Sequence, residues 1–260
     1  QHRGRATAYV LGGGVCAALI APALAIWARN ALPVPFTGAY LLIAVLAGLG
    51  LLLAWQLPQS RASAAVRYDF ALTRALLGRP IIRAALLTTA IGHGLMFLVM
   101  NATPLAMSLC GLSLEISAEV IRWHMLGMFL PAFVAGPLVD RLGATRMALL
   151  GCAVLALSAA VALSGLNQWF FLFSSFLLGL GWNLMLVSGS TLLAAGHSAD
   201  ERGQAQGLME LGNGLVAACA SFASGALITG LGWSALNIAM LPLLAIALWM
   251  LTLQSRPKPV

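Results

Sequence analysis

Charge is what this sequence has least of. Its 260 residues include 14 Lys and Arg and 7 Asp and Glu, so only 8% of positions are charged, while 61% are apolar. A soluble domain carries about 25% charge, and a chain this apolar has no means of presenting a wetted surface. Cysteine is scarce too. Cys16, Cys110, Cys152 and Cys219 are scattered in or beside apolar runs, with no CxxC or other metal-ligand spacing. That excludes a disulfide framework or a zinc site and leaves packing thiols. HExxH is missing, so a membrane zinc protease has no ligands. Ser190 and His93 could be paired for a serine hydrolase, but neither lies in a nucleophile motif. The pattern is that of a non-enzyme without cofactor or metal.

What is present is a series of apolar runs, each near the length of roughly 20 residues that crosses a bilayer as a helix. Backbone amides in hydrocarbon must bond within their own segment, and strand alternation is absent, so the expected class is an all-α polytopic transmembrane bundle. Eight spans are expected at 7–28, 35–57, 81–103, 118–139, 147–164, 169–194, 204–229 and 233–253. The longest polar connection, 58–80, carries Arg61, Arg67, Arg74 and Arg79. It separates a two-helix part, 1–57, from a six-helix part, 81–260.

The net charge of +7 says less than its placement. With the N-terminus in the cytoplasm and spans alternating, Arg3, Arg5, Arg61, Arg67, Arg74, Arg79, Arg83, Arg141, Arg146, Arg202, Arg256 and Lys258 fall inside. Arg29 and Arg122 fall outside. This one-sidedness follows the positive-inside rule rather than a nucleic-acid footprint. Both ends are therefore expected in the cytoplasm.

Between two apolar runs lies GPLVDRLGATR, 136–146. The spacing Gly136-x3-Asp140-Arg141-x-Gly143 resembles the cytoplasmic-loop signature of the major facilitator superfamily. The chain departs from it at Ala144 and Thr145, where two basic residues are usual, and offers Arg146 just after. A second likeness is internal. Arg3, Gly4, Ala6 and Gly13 match Arg202, Gly203, Ala205 and Gly212 in order, as do Ala18 and Ala21 with Ala217 and Ala220. The superfamily is built from two six-helix halves related by a parallel repeat. The resemblance implies that the first two spans correspond to family helices five and six, the last six to seven through twelve, and 58–80 to the central cytoplasmic loop. Four family helices then have no counterpart, and with an opening at QHRGR that lacks Met, about 120 or more upstream residues are expected.

The resemblance implies a secondary transporter working by alternating access, in a bacterial-type inner membrane, as a monomer. Its partners are a small organic substrate, a proton or other ion gradient and the lipid bilayer, with no nucleic acid. The first span, GGGVCAALIAPALA, loosely resembles the fifth-helix motif of drug/proton antiporters, ending in Ala21-Pro22 rather than Gly-Pro. That points to proton-coupled efflux, with uptake as the alternative. Gly136, Asp140, Arg141, Gly143 and Arg146 are by resemblance a conformational latch. Asp140 would meet the positive end of the 204–229 helix near Gln204.

Several polar residues stand out within the spans. Glu210 reads either as a proton-coupling carboxylate or as an interfacial group paired with Arg202 or Arg146. His93, flanked by Gly92 and Gly94, reads as a second proton-coupling group or as a histidine bonded to a neighbouring helix. Asn101, His124, Trp182, Asn183 and Asn213 are substrate-cavity candidates. Trp182 either stacks on an aromatic substrate or packs. Arg122 and Glu119 suit a salt bridge at the outer rim.

Overall fold

A computed structural model describes residues 3–56 and 69–255, with side chains from 12–56 and 69–253. Arg61, Arg67, Arg256 and Lys258, and the side chains of Arg3 and Arg5, lie outside these described residues, as does the 58–68 part of the 58–80 connection. The described residues are helical, with no strand. In chain order the helices are α1 (Arg3–Arg29), α2 (Thr37–Trp55), α3 (Phe70–Gly78), α4 (Pro80–Leu109), α5 (Leu114–Phe129), α6 (Ala132–Leu142), α7 (Ala144–Leu163), α8 (Gln168–Gly196), α9 (Arg202–Gly230), α10 (Gly232–Ile238) and α11 (Met240–Ser255). Seven helical segments are long and apolar enough to cross a membrane, and the bent pair α5–α6 makes an eighth.

Local signals account for the boundaries. Asp69 caps α3 by accepting from the amides of Ala71 at 2.8 Å and Leu72 at 3.2 Å. Asn167 caps α8 in the same way through Trp169 and Phe170, and Ser113 caps α5 through Ile116. Each side-chain oxygen satisfies an amide that has no intrahelical partner. Pro80 sits at the start of α4, where its missing N–H is harmless. The turn from α6 to α7 is the single residue Gly143, whose φ of 82° a side chain rarely tolerates. This gives the last glycine of the loop signature a geometric reason.

Three features differ from the expected spans. The polar connection contains the helix α3, whose short amphipathic turn buries Thr73 and Leu76 and is invisible to a search for long apolar runs. The 118–139 span begins earlier and is broken, with α5 and α6 bent by 40° at Pro131, which has no N–H to continue the ladder. The 81–103 span runs on through Pro104 to Leu109.

Helix α8 sits at the centre of the bundle, packing on α4, α5 and α7. Glycine makes each contact close. A methyl group at Gly179 would overlap the His124 carbonyl oxygen of α5, and one at Gly127 of α5 would overlap the Phe176 carbonyl oxygen of α8. At Gly181 it would lie 3.1 Å from the Leu155 nitrogen of α7, and at Gly189 3.0 Å from the Ala85 oxygen of α4. The core around these crossings includes Leu155, Phe171, Leu178 and Met185, each at most 1% exposed. On the other side α1 packs on α5, and α2 on α1.

Replacing Gly179 by Leu places its side chain against backbone that cannot yield, so a loss of about 3 kcal/mol or more is expected. Thermal unfolding in detergent measures it. Gly78→Ala, where a methyl group meets nothing within 4 Å, is the matched control and should leave the transition in place.

Candidate functional site

Two registers set the level of every polar side chain in the bundle. Helices α4 and α8 run antiparallel, with Gly189 beside Ala85 and Thr89, and Gly92 beside Met185. Helices α4 and α9 run in the same direction: Arg79 bonds Glu201, Gly94 faces Val216, and Asn101 bonds Ser221. At the middle of these registers His93 and Trp182 meet, ring centroids 5.3 Å apart and planes at 70°. This edge-to-face arrangement is a favourable aromatic geometry. The His93 Nδ1 lies 3.0 Å from the Thr89 carbonyl oxygen one turn back. Both rings are half-buried. Toward the end of α4, Phe97 and Asn101 follow His93 at successive turns; Leu186 and Ser190 follow Trp182 along α8. The two rows form one strip of partly open side chains.

Polar atoms at this level lack partners. Asn213 of α9 is 4% exposed, and neither its Oδ1 nor its Nδ2 is hydrogen-bonded. The shared α4–α9 offset sets it beside residues 91–93 of α4. The buried Nε1 of Trp182 also has no acceptor. Leaving such a group unmade costs about 1–3 kcal/mol, so three unmet atoms at one level are unusual. Asn183 points the other way, its Nδ2 donating to the Met128 carbonyl oxygen of α5 at 2.7 Å while Oδ1 stays unpaired.

The remaining candidates are dispersed. His124 is 3% exposed and its Nδ1 lies 2.9 Å from the Ser175 carbonyl oxygen, so it is an α5–α8 packing residue rather than part of the strip. Asn101 is exposed, its amide donating to the Ser221 hydroxyl at 2.8 Å. Glu210 is exposed on α9, one turn before Asn213, and makes no hydrogen bond or ion pair among the described residues. It pairs with neither Arg202 nor Arg146. Arg122 binds Glu119 through Nη1, and Trp123 joins the same carboxylate at 3.0 Å, as the rim reading expects. Away from the strip, an apolar cavity of about 380 Å³ lies between α1, α2, α4 and α5. There the Arg29 guanidinium sits 5.0 Å from the centre of the Phe36 ring.

In the signature loop Asp140, Arg141 and Arg146 are exposed and unpaired among the described residues. The start of α9 is instead met by α3. The Gln204 amide donates to the Asp69 carbonyl oxygen and to the Thr73 hydroxyl, the latter at 2.6 Å. Beside it stands an ion pair that inspection of the spans misses. Arg79 grips Glu201 with both terminal nitrogens, at 2.7 and 2.8 Å, and donates to the Gly196 carbonyl oxygen at 2.9 Å. The Ser198 amide donates to the same carboxylate at 2.9 Å. Both residues stand at span starts in the sequence, Arg79 before one span and Glu201 before another. The hydrogen bonds from Arg79 and then Ser198 hold the Glu201 carboxyl down at about 2, and the pairing raises Arg79.

The comparisons with known proteins agree with this architecture. The sequence profile of the Major Facilitator Superfamily matches residues 89–260. Riboflavin transporter RfnT of Brucella anthropi is 35% identical over 267 residues, 98% of this chain and 65% of that protein. An uncharacterized MFS-type transporter, YdeG of Bacillus subtilis, is 33% identical over 160 residues, 59% of this chain and 37% of that protein. Methylenomycin A resistance protein of Bacillus subtilis is 27% identical over 172 residues, 64% of this chain and 36% of that protein. The chain thus spans less than two thirds of the length of these relatives.

The Arg79–Glu201 pair carries a pH signature. Because the carboxyl is depressed in the folded state to about 2, its stabilisation is complete above about pH 5 and is lost as pH falls toward 2. The side chains are 39% and 17% exposed, so water screens the pair and the effect is modest. Unfolding followed between pH 6 and pH 3 should show a steeper fall for the wild type than for Glu201→Gln. Parallel curves would show that the pair contributes nothing.

Proposed function

The chain belongs to the major facilitator superfamily of membrane transporters, and we propose that it moves a small planar aromatic compound across the membrane by alternating access, coupled to protons. The observation that carries this reading is the His93–Trp182 pair. It stands at mid-bundle on two helices that face a common strip, where a transporter of two halves holds its substrate. Trp182 supplies an aromatic face, and His93 supplies an imidazole as the proton-carrying side chain.

In this reading α1 and α2 close one bundle, 58–80 is the central cytoplasmic loop, and 81–260 forms the second bundle. Both chain ends and the Asp140 loop face the cytoplasm of a bacterial-type inner membrane, and the protein acts as a monomer. Glu210 is the second proton-coupling group. An unpaired carboxylate on a membrane helix is stable only beside a cavity or a partner, and Asn213 lies one turn further along. Asp140 and Arg141 act as a latch at the cytoplasmic side, with Arg146 standing in for the basic residues absent at Ala144 and Thr145.

Export is the first reading of direction, supported by the antiporter-like first span and by a relative named for antibiotic resistance. Uptake is the second, favoured by the likeness over 98% of the chain to a riboflavin transporter. That likeness makes riboflavin the first substrate to test.

Membrane vesicles carrying the intact protein should move riboflavin or the planar dye ethidium when a proton gradient is imposed, and an uncoupler should abolish the flux. Flux indifferent to the uncoupler would refute proton coupling. Glu210→Gln and His93→Gln are each expected to remove the dependence on the gradient while leaving the protein folded. Retention of full gradient-driven flux by both variants would remove these residues from the coupling step.

A further inference from the structure

The apolar cavity between α1, α2, α4 and α5 ends on a charge. Ala21, Pro22, Ala25, Ile26 and Arg29 line it at a spacing that puts them on one face of α1. Small side chains there, with Pro104 of α4 and Ala118 of α5, leave about 380 Å³. That lies in the range of about 300–1,000 Å³ that ligand sites occupy. Arg29 is the one charged residue of the lining.

Its guanidinium lies 5.0 Å from the centre of the Phe36 ring and makes no ion pair among the described residues. Its Nε is buried with no hydrogen-bond partner. Arg122 also has an unpartnered Nε, but its Nη1 holds Glu119. Arg29 has no such carboxylate: Glu115, at the start of α5, feels its charge from beyond ion-pair distance. Helix α2 starts at Phe36 with no side-chain cap, so its first amides favour an anion as well. Phe36 itself is the one described non-glycine residue with positive φ, 68°, a conformation rare for a bulky side chain.

A cation at the end of a span with no counterion in the protein draws one from its surroundings, and here these are the bilayer. We infer that this cavity holds an acyl chain of an anionic phospholipid, with Arg29 on its phosphate. The chain fills the apolar space between the helices, and the planar guanidinium meets phosphate oxygens through two parallel N–H bonds. A soluble anion has no tail for the apolar lining to cover, and a zwitterionic lipid brings its own ammonium to compete for the phosphate. The placing of α1–α2 and α4–α5 in different bundles rests on the transport reading above; the binding does not. On that reading the lipid braces the seam between the two bundles at the outer surface.

The probes are dioleoyl phosphatidylglycerol, which is anionic, and dioleoyl phosphatidylcholine, which has the same chains and no net charge. Each is added to the purified intact protein in detergent, and the shift of the thermal transition is recorded against lipid concentration. The wild type should need at least about tenfold less phosphatidylglycerol for the same shift. Arg29→Gln should respond alike to both, and Arg29→Lys, which keeps the charge without the fork, should keep part of the preference. Ala25→Phe places a ring in the space from an exposed position and should need more phosphatidylglycerol than the wild type. Arg74→Gln, exposed on α3 and outside the lining, should match the wild type.

A wild type that treats the two lipids alike overturns the inference and leaves the space to another segment of the chain. So does an Arg29→Gln protein that keeps the preference, or an Ala25→Phe protein that responds as the wild type does. Should Arg29→Gln fail to fold, Arg29→Lys and Ala25→Phe carry the test. Stabilisation by oleate with none by phosphatidylglycerol gives the cavity to a free fatty acid and overturns the phospholipid. Uncoupler-sensitive flux bears on the transport reading alone, so either can fail without the other.

Discussion

The close backbone approach of α8 to three neighbours is the constraint from which the rest of the bundle follows. Within a bilayer no hydrophobic force draws one apolar helix to another, so association depends on tight packing and on the few interhelical hydrogen bonds. Glycine permits both. Gly179 lets α8 reach the α5 backbone, Gly181 lets it reach α7, and Gly189 lets it reach α4. Held on three sides, α8 has one direction left for Trp182, Leu186 and Ser190, which are half-buried. Because the Gly189 and Gly92 contacts also fix the register with α4, Trp182 arrives opposite His93 rather than a turn away.

That fixed frame explains how a very apolar chain concentrates its chemistry. Polar side chains engaged in packing bond backbone carbonyls: His124 to Ser175, Asn183 to Met128, Ser158 to Ser174. All three are buried. Near His93, Asn213 and the Trp182 N–H have no partner among the described residues. Outside the spans, Arg79 and Glu201 fasten α4 to the α8–α9 connection.

Much of this was legible in the residues. Long apolar runs announced the spans, because length and hydropathy alone decide whether a helix crosses a bilayer, and Gly136-x3-Asp140-Arg141-x-Gly143 announced the family. His93 and Trp182 were singled out separately as polar or glycine-flanked residues inside spans. Their meeting was not legible, since it depends on interhelical register that no single span encodes. The contact of His124 with Ser175 of α8 was illegible for the same reason, since its place on α5 says nothing of which helix it faces. The bend at Pro131 and the helix α3 were missed because a broken span and a short amphipathic turn both look like ordinary interruptions of hydropathy.

We propose that the strip formed by α4 and α8 is the wall of a substrate passage. Single cysteines introduced along α4 into an intact protein with Cys16, Cys110, Cys152 and Cys219 replaced, and challenged with a membrane-impermeant thiol reagent, test it directly. Labelling at 93, 97 and 101 that substrate suppresses is expected, with none at Leu95 and Val99, which are 0% and 3% exposed in the core. Labelling without that helical period, or labelling at 93 and 97 that no transported compound reduces, would contradict it.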